Sequence, residues 1–275
     1  MKILLKSHKA LEIAGRWDID FHLPPLGIQK FPKNLLRRVD DVADVVKDKR
    51  DPGNDPDAVF QYIDIAAVDV AVGTIANPQE VEGGEAPSRA RKVVRAFDVI
   101  VSTCRPTRGA IAVIPIELHD QIASTAFSVV RAHGDVNPFY LHYALRLPST
   151  LEQFRKWSTG SSYPAILDSD VKKTLIPVPS PDIQDAIAEK MVAALRDRAV
   201  AIDAANGNWA KVLDKITFSL TGKEEPQEIY DAPQKAKSEA FTLKAVNAVL
   251  AALPAVRTDA NGGNGSSDDE DLFGN

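Results

Sequence analysis

The stretch IPVPSPDIQDAIAEKMVAALRDRAVAIDAAN, residues 176–206, changes its period at Ser180. Ile176-Pro177-Val178-Pro179 reads as the end of an extended segment. Ser180-Pro181-Asp182 then opens a helix, with a residue that can cap, a proline favoured at the first helical position and an acid at the positive end of the dipole. From there Ile183, Ile187, Met191, Leu195, Ala199 and Ile202 recur every three to four residues, with Ala186, Ala194 and Arg198 beside them. A helix from Pro181 to about Asn206 would be roughly 38 Å long. Its narrow, alanine-rich stripe suits an antiparallel or intersubunit helix pair, and periodicity alone fits a surface helix packed on its own domain equally well. Gly207 is expected to interrupt it, and Trp209, Val212, Leu213 and Ile216 to resume a second helical segment.

Upstream, the pattern is mostly strand and loop. Residues 60–65, 93–101 (VVRAFDVIV), 110–114 and 174–178 are rich in β-branched and aromatic residues. Two helices interrupt them, one opened by Asn137-Pro138 and running through Leu147, the other capped by Thr150 and running through Trp157. Strands at irregular intervals with unevenly placed helices predict an α+β fold, a mixed β-rich domain over 1–180 followed by a long helix over 181–220 for coiled-coil-like pairing. Residues 221–259 read as a linker carrying a short amphipathic helix (Phe241, Leu243, Ala245, Val246, Val249, Leu250, Leu253, stopped by Pro254), and 260–275 as a disordered acidic tail.

With 275 residues, 44% hydrophobic and 26% charged, the chain has the composition of an ordinary globular protein. Every apolar run is too short to span a bilayer, so no membrane association is expected. The N-terminal MKILLK is too brief for a signal peptide, and a single cysteine, Cys104, excludes an internal disulfide; a reducing cytoplasm fits both. The net charge of −5 is unevenly spread. Residues 221–275 carry five basic and ten acidic residues, so 1–220 holds 28 of each sign. Between Ser88 and Arg108, six cations face one anion, Asp98, a local field that attracts polyanions.

Catalytic signatures are missing. There is no glycine-rich nucleotide loop and no GxSxG elbow, and the five histidines (His8, His22, His119, His133, His142) never fall three or four apart, so no catalytic residue, metal or cofactor is expected. Cys104 reads as a small buried thiol. Asn137-Pro138-Phe139-Tyr140 approaches the NPPY tetrapeptide of DNA amino-methyltransferases, but Phe139 replaces the second proline and no cofactor loop precedes it. Pro181-Asp182 with Glu189-Lys190 approaches a PD…ExK nuclease motif, with the wrong spacing and on a helix.

Two basic, hydroxyl-rich loops remain, Ser102–Gly109 and Lys156–Pro164. Arginine forks and short hydroxyls bind phosphates and read base edges. With the neighbouring cations they give the expected nucleic-acid contacts: Arg89, Arg91, Lys92, Thr103, Arg105, Thr107, Arg108, Lys156, Ser161, Ser162 and Tyr163.

The order of the motifs carries more than any one of them. Gly15-Arg16-Trp17-Asp18-Ile19-Asp20-Phe21 comes first, then Tyr62-Ile63-Asp64-Ile65 with Gly73-Thr74-Ile75, then Pro87–Arg91, Phe97–Ser102, Arg105-Pro106 and Gly109. Residues 123–131 (ASTAFSVVR), Asn137–Leu141, Gly160–Pro164 and Ile176–Pro179 with Pro181, Gln184 and Ile187 follow. Over about residues 12–206 this series resembles the specificity subunits of type I restriction-modification systems. The resemblance implies a target-recognition domain over 1–180 that grips one half of a bipartite site in double-stranded DNA. The helix would set the spacing to the other half and dock a DNA methyltransferase subunit, with a restriction or translocase subunit as a further partner. Family members carry two recognition domains and two long helices, whereas this chain has one of each. It would therefore work as a homodimer or in a hetero-complex, joined through Ile183, Ile187, Met191, Leu195 and Ile202. The rival readings are a DNA adenine methyltransferase or nuclease, and a protein-interaction scaffold of a defence complex.

Overall fold

The computed structural model describes residues 5–17, 19–160, 162–222 and 242–259. In chain order the elements are α1 (His8–Ala14), α2 (Ile19–His22), β1 (Leu36–Arg38), β2 (Ala43–Val46), β3 (Val59–Ile63), β4 (Val68–Asp69), β5 (Thr74–Ile75) and β6 (Gln79–Glu82). Then come β7 (Ala90–Val94), β8 (Val99–Ser102), β9 (Ile111–Val113), β10 (Gln121–Ser124) and β11 (Phe127–Ala132). Helices α3 (Pro138–Leu145), α4 (Pro148–Trp157) and α5 (Asp168–Lys173) precede β12 (Leu175–Pro177), α6 (Pro181–Thr221) and α7 (Leu243–Ala252).

Two four-stranded sheets form the body. One, in the order β2-β11-β8-β9, is antiparallel throughout. The other, β6-β3-β10-β7, pairs β3 with β10 in parallel and its outer strands antiparallel. Val99-Ile100-Val101 of β8 is apolar without alternation, as a strand buried on both faces must be. Val99 and Val101 pack with Ile111 and Val130 against Leu141, Ala144 and Leu145 of α3. Ile100 packs with Phe127 and Val129 toward Ile63, Val94 and Ala123 of the second sheet. The first sheet is thus the middle layer between helices and the second sheet, a β-rich region followed by a long helix.

Several elements differ from the sequence-based expectation. The strand expected over 93–101 is two strands in different sheets. Asp98 turns inward, accepts a hydrogen bond from the Arg95 backbone N–H at 2.8 Å and forms a bidentate pair with Arg131 of β11 at 2.8 Å on each oxygen. Phe97 takes a left-handed φ of 68° to make that corner and sets its ring 5.5 Å from Phe139. Thr150 is not a cap: α4 begins at Pro148, and the buried Thr150 hydroxyl donates to the Ala144 carbonyl at 2.8 Å. The helix opened by Asn137 ends at Leu145.

Gly207 does not interrupt the long helix. α6 runs unbroken for 41 residues, about 60 Å. One glycine costs a helix interior roughly 1 kcal/mol, which its alanine-rich surroundings absorb. Among the described residues the body is touched by the first five turns of α6, as far as Arg198, 3.2 Å from Asp69: Gln184 and Ala188 are 2% and 0% exposed, and the Gln184 side chain accepts from the Asn137 N–H at 3.0 Å. Ile187 packs on the main core, and Met191 and Leu195 line a small cavity with Thr74, Ile75, Phe139 and His142. Three residues expected at an intersubunit seam therefore face their own domain, because the stripe begins where the helix is still covering β9 and α3. Ile183 and Ile202 are exposed, as are Trp209, Val212, Leu213, Ile216, Phe218 and Leu220 further along.

The acidic tail at 260–275 lies outside the described residues. Within 221–259, Thr221 belongs to α6, and α7 is capped by the Thr242 hydroxyl, which accepts from the Ala245 N–H.

Candidate nucleic-acid interface

The two basic loops are far apart in sequence and joined in space. Thr159 and Ala165 exchange both backbone hydrogen bonds at 2.9 Å, closing the second loop on itself. The Arg105 N–H donates to the Pro164 carbonyl at 2.7 Å, and the Ile166 N–H to the Thr103 carbonyl at 2.9 Å, which zips that loop to the first. Arg105 sits at φ 49° and Gly109 at φ 72°, so both ends of the Pro106–Arg108 turn are left-handed. The Arg105 guanidinium lies over the Tyr163 ring, 4.5 Å from the centroid.

Arg89, Arg105, Arg108 and Tyr163 line one open groove of about 670 Å³, floored by Tyr62, Ile65, Val68, Cys104, Ala110 and Ser124. Among the described residues no carboxylate forms an ion pair with Arg89, Arg105 or Arg108, and Thr107, Ser162 and Tyr163 are exposed beside them. Asp64 also reaches the groove, with one carboxylate oxygen capping the Ala67 N–H at 2.9 Å. Three forks, an aromatic face and hydroxyls around an apolar floor can hold phosphates at the rim and a base edge or base face within.

The other expected contacts are placed differently. Lys92 is buried, its ammonium 3.6 Å from Asp168, and burial pushes its pKa below the usual lysine range against the pull of that carboxylate. Lys156 is buried as well, and its ammonium donates to the Leu23 carbonyl at 2.8 Å and to the Asp20 carbonyl. Neither presents a charge to a ligand. Arg91 is half-buried, 3.4 Å from Asp51. The Thr103 hydroxyl donates to the Ala126 carbonyl at 2.9 Å, so it fixes the loop. Ser161 lies outside the described residues. Cys104 is half-buried at the groove floor.

Arg146 escaped the sequence reading. Its guanidinium donates to four carbonyls, Gly109, Ile111, Val70 and Ala71, and so pins the end of the basic loop to the β4–β5 turn. That turn requires Gly73: at φ 76° a Cβ there would lie 2.3 Å from His142 Nε2 and 2.6 Å from the Ile111 carbonyl. His142 is fully buried and held well below the ordinary histidine range, at about 4, by burial first and by Arg146 second. An arginine at the end of a helix with no charged neighbour in sequence gives no sign of such a task.

The Asn137 side chain is buried, with its oxygen accepting from the Phe139 and Tyr140 N–H groups and its nitrogen donating to Asp185 at 2.7 Å. Among the described residues no cluster of three histidine, cysteine or acidic side chains could hold a metal ion, and no helix is long and apolar enough to cross a membrane.

No protein-family model and no curated protein matches the chain. Solved structures do. A chain from the type I R-M system, described for its complex assembly and conformational transition, shares 35% identity and superposes with a TM-score of 0.55 over 70% of this chain and 51% of its own. The HsdS subunit from Thermoanaerobacter tengcongensis shares 35% identity with a TM-score of 0.53, over 73% of this chain and 53% of its own. The chain spans about half the length of these relatives.

Proposed function

The chain is a relative of the specificity subunits of type I restriction-modification systems, and on that premise we propose that it is a non-catalytic, sequence-specific DNA-recognition subunit whose single recognition domain reads one half-site. The observation that carries the reading is the 35% identity with an HsdS subunit across 73% of the chain. The groove adds chemistry to it. Arg89, Arg105 and Arg108 are cations without ion-pair partners among the described residues, set around the exposed ring of Tyr163, on which Arg105 stacks. A B-DNA backbone supplies the matching anions, and arginine forks match guanine O6 and N7 in the major groove. Arg146 and the zipped loops fix the backbone that carries Arg105 and Arg108 before DNA arrives, so binding orders little of the main chain.

One recognition domain reads one half-site, so the active form has two, as a homodimer or beside a second recognition subunit. The exposed outer half of α6 is the joint. A DNA methyltransferase subunit, and with it a restriction or translocase subunit, completes the complex in the cytoplasm. The methyltransferase reading of this chain itself loses its one residue, because the Asn137 amide is consumed in capping α3 and holding Asp185.

Binding to duplex DNA across a salt series tests the proposal. Affinity should fall roughly fortyfold between about 50 and 200 mM salt if three phosphates are neutralised. A flat response, or methyl transfer from S-adenosylmethionine by the purified chain alone, would overturn it.

A further inference from the structure

The C-terminal segment is docked at the wrong end of α6 for its own chain. The Leu243 N–H donates to the Asp185 carboxylate at 2.9 Å, beside the Asn137 amide, so α7 starts at the base of the long helix. Val246 is buried against Val113, Phe139 and Ala188, and the Asn247 side chain donates to the Gly134 carbonyl at 3.0 Å. Beyond α7 the chain continues as a strap. Pro254 accepts from His119 at 2.7 Å, Arg257 grips the Asp120 carboxylate at 2.6 Å, and Asp259 accepts from the Asp51 N–H at 2.8 Å. This is a specific seat, with apolar burial, a cap and an ion pair.

α6, however, delivers the chain to Gly222 at its far tip. From Asp185 to Gly222 the helix rises about 56 Å. Residues 223–241 are all that joins Gly222 to Thr242, and fully stretched they reach about 70 Å. To seat α7 on its own body, this link must be drawn to about four-fifths of its limit. If two copies of α6 pair antiparallel, the tip of each lies beside the base of the other, about 10 Å away across the helix pair. The same link then spans its seat without stretching.

We propose that α7 and the strap 253–259 are exchanged in a homodimer: each chain's C-terminal segment occupies the seat on its partner's recognition domain. The inference rests on the dimer proposed above and commits to its homodimeric, antiparallel form. The exchange fastens each recognition domain to the tip of the other chain's helix, fixing the distance between the two domains at both ends.

Shortening the link separates the two arrangements. Deletion of residues 227–234 leaves a reach of about 41 Å, short of the 56 Å needed within one chain but ample between antiparallel partners. Sedimentation should find the deletion variant dimeric like the full chain, with the α7 amides of Val246 and Asn247 as slow in hydrogen exchange as before. A dimer whose α7 amides exchange freely would overturn the exchange and leave the dimer standing. A monomeric full chain with protected α7 amides would overturn both. As a second readout, Gly134→Cys with Asn247→Cys, in a Cys104→Ser background, joins two positions already in contact, and a Cβ at Gly134 meets nothing within 4 Å. Oxidation should yield a covalent dimer; a disulfide closed within one chain would refute the exchange.

Discussion

Arg105 combines an uncommon backbone conformation with a half-buried charge that no carboxylate pairs among the described residues. A left-handed φ at a non-glycine residue costs energy that the fold recovers through the Arg105–Pro164 hydrogen bond and the stack on Tyr163. Replacing Arg105 or Arg108 by Ala should weaken binding to the cognate site by about 1–3 kcal/mol each if the fork reads a guanine. Fluorescence anisotropy on cognate and scrambled duplexes checks this, and equal loss on both would demote the residue to a phosphate contact. His142 gives a residue-scale prediction about stability. Its folded pKa, about 4, lies below the ordinary 6.5, because burial and then Arg146 disfavour the charged ring. Above about pH 6.5 both folded and unfolded states carry it neutral. As pH falls from there toward 4, only the unfolded state takes up the proton, so up to about 3 kcal/mol of stability is lost. Urea titrations at stepped pH should show that loss in the wild type and a flatter curve in His142→Gln. Residue type alone revealed the arginines of the groove but misplaced Lys92 and Lys156. Their burial depends on Asp168 and on the carbonyls of Asp20 and Leu23, partners 76, 136 and 133 positions away that no local pattern exposes.

At the scale of elements, α6 has two parts with different neighbours. Its apolar period was plain in the sequence from Ser180 onward, and so was its cap-and-proline start. Which turns the body covers was not, since that depends on where α3 and β9 lie beneath the helix. Ile187 packs on the core, while Leu213 and Ile216 are 44% and 50% exposed. Ile187→Asp should therefore destabilise the recognition domain by several kcal/mol, the cost of burying a charge without a partner. Ile216→Asp should leave the melting temperature of the domain unchanged and dissociate the dimer, because a charge in the helix seam must be desolvated there. Calorimetry beside sedimentation of both variants distinguishes the two. A melting temperature that falls equally in both would mean that the outer half of α6 also packs on its own chain. The broken strand at 95–98 has a similar origin. VVRAFDVIV reads as one strand because it is rich in β-branched and aromatic residues, yet Arg131, arriving from β11, draws Asp98 inward and splits it.

For the whole molecule, a net charge of −5 conceals a balanced body of residues 1–220 and an acidic remainder, and the division along the chain was readable without coordinates. What the sequence left out was the distance over which two such bodies could be held. A helix about 60 Å long, if paired with its equal as proposed, would make a spacer too stiff to adjust to the DNA, and an exchanged C-terminal segment would lock that spacer at both ends. Recognition of a bipartite site then becomes a geometric requirement as well as a chemical one. On a duplex selected from a random pool by the assembled complex, inserting about 5 bp between the half-sites turns one of them to the opposite side of the DNA. That insertion should reduce binding to the level of a single half-site. Inserting about 10 bp restores the facing but adds roughly 34 Å of separation, and a rigid pair cannot follow it, so affinity should stay low. Recovery at about 10 bp would mean that the domains are joined flexibly, and the helix would then be a tether rather than a ruler.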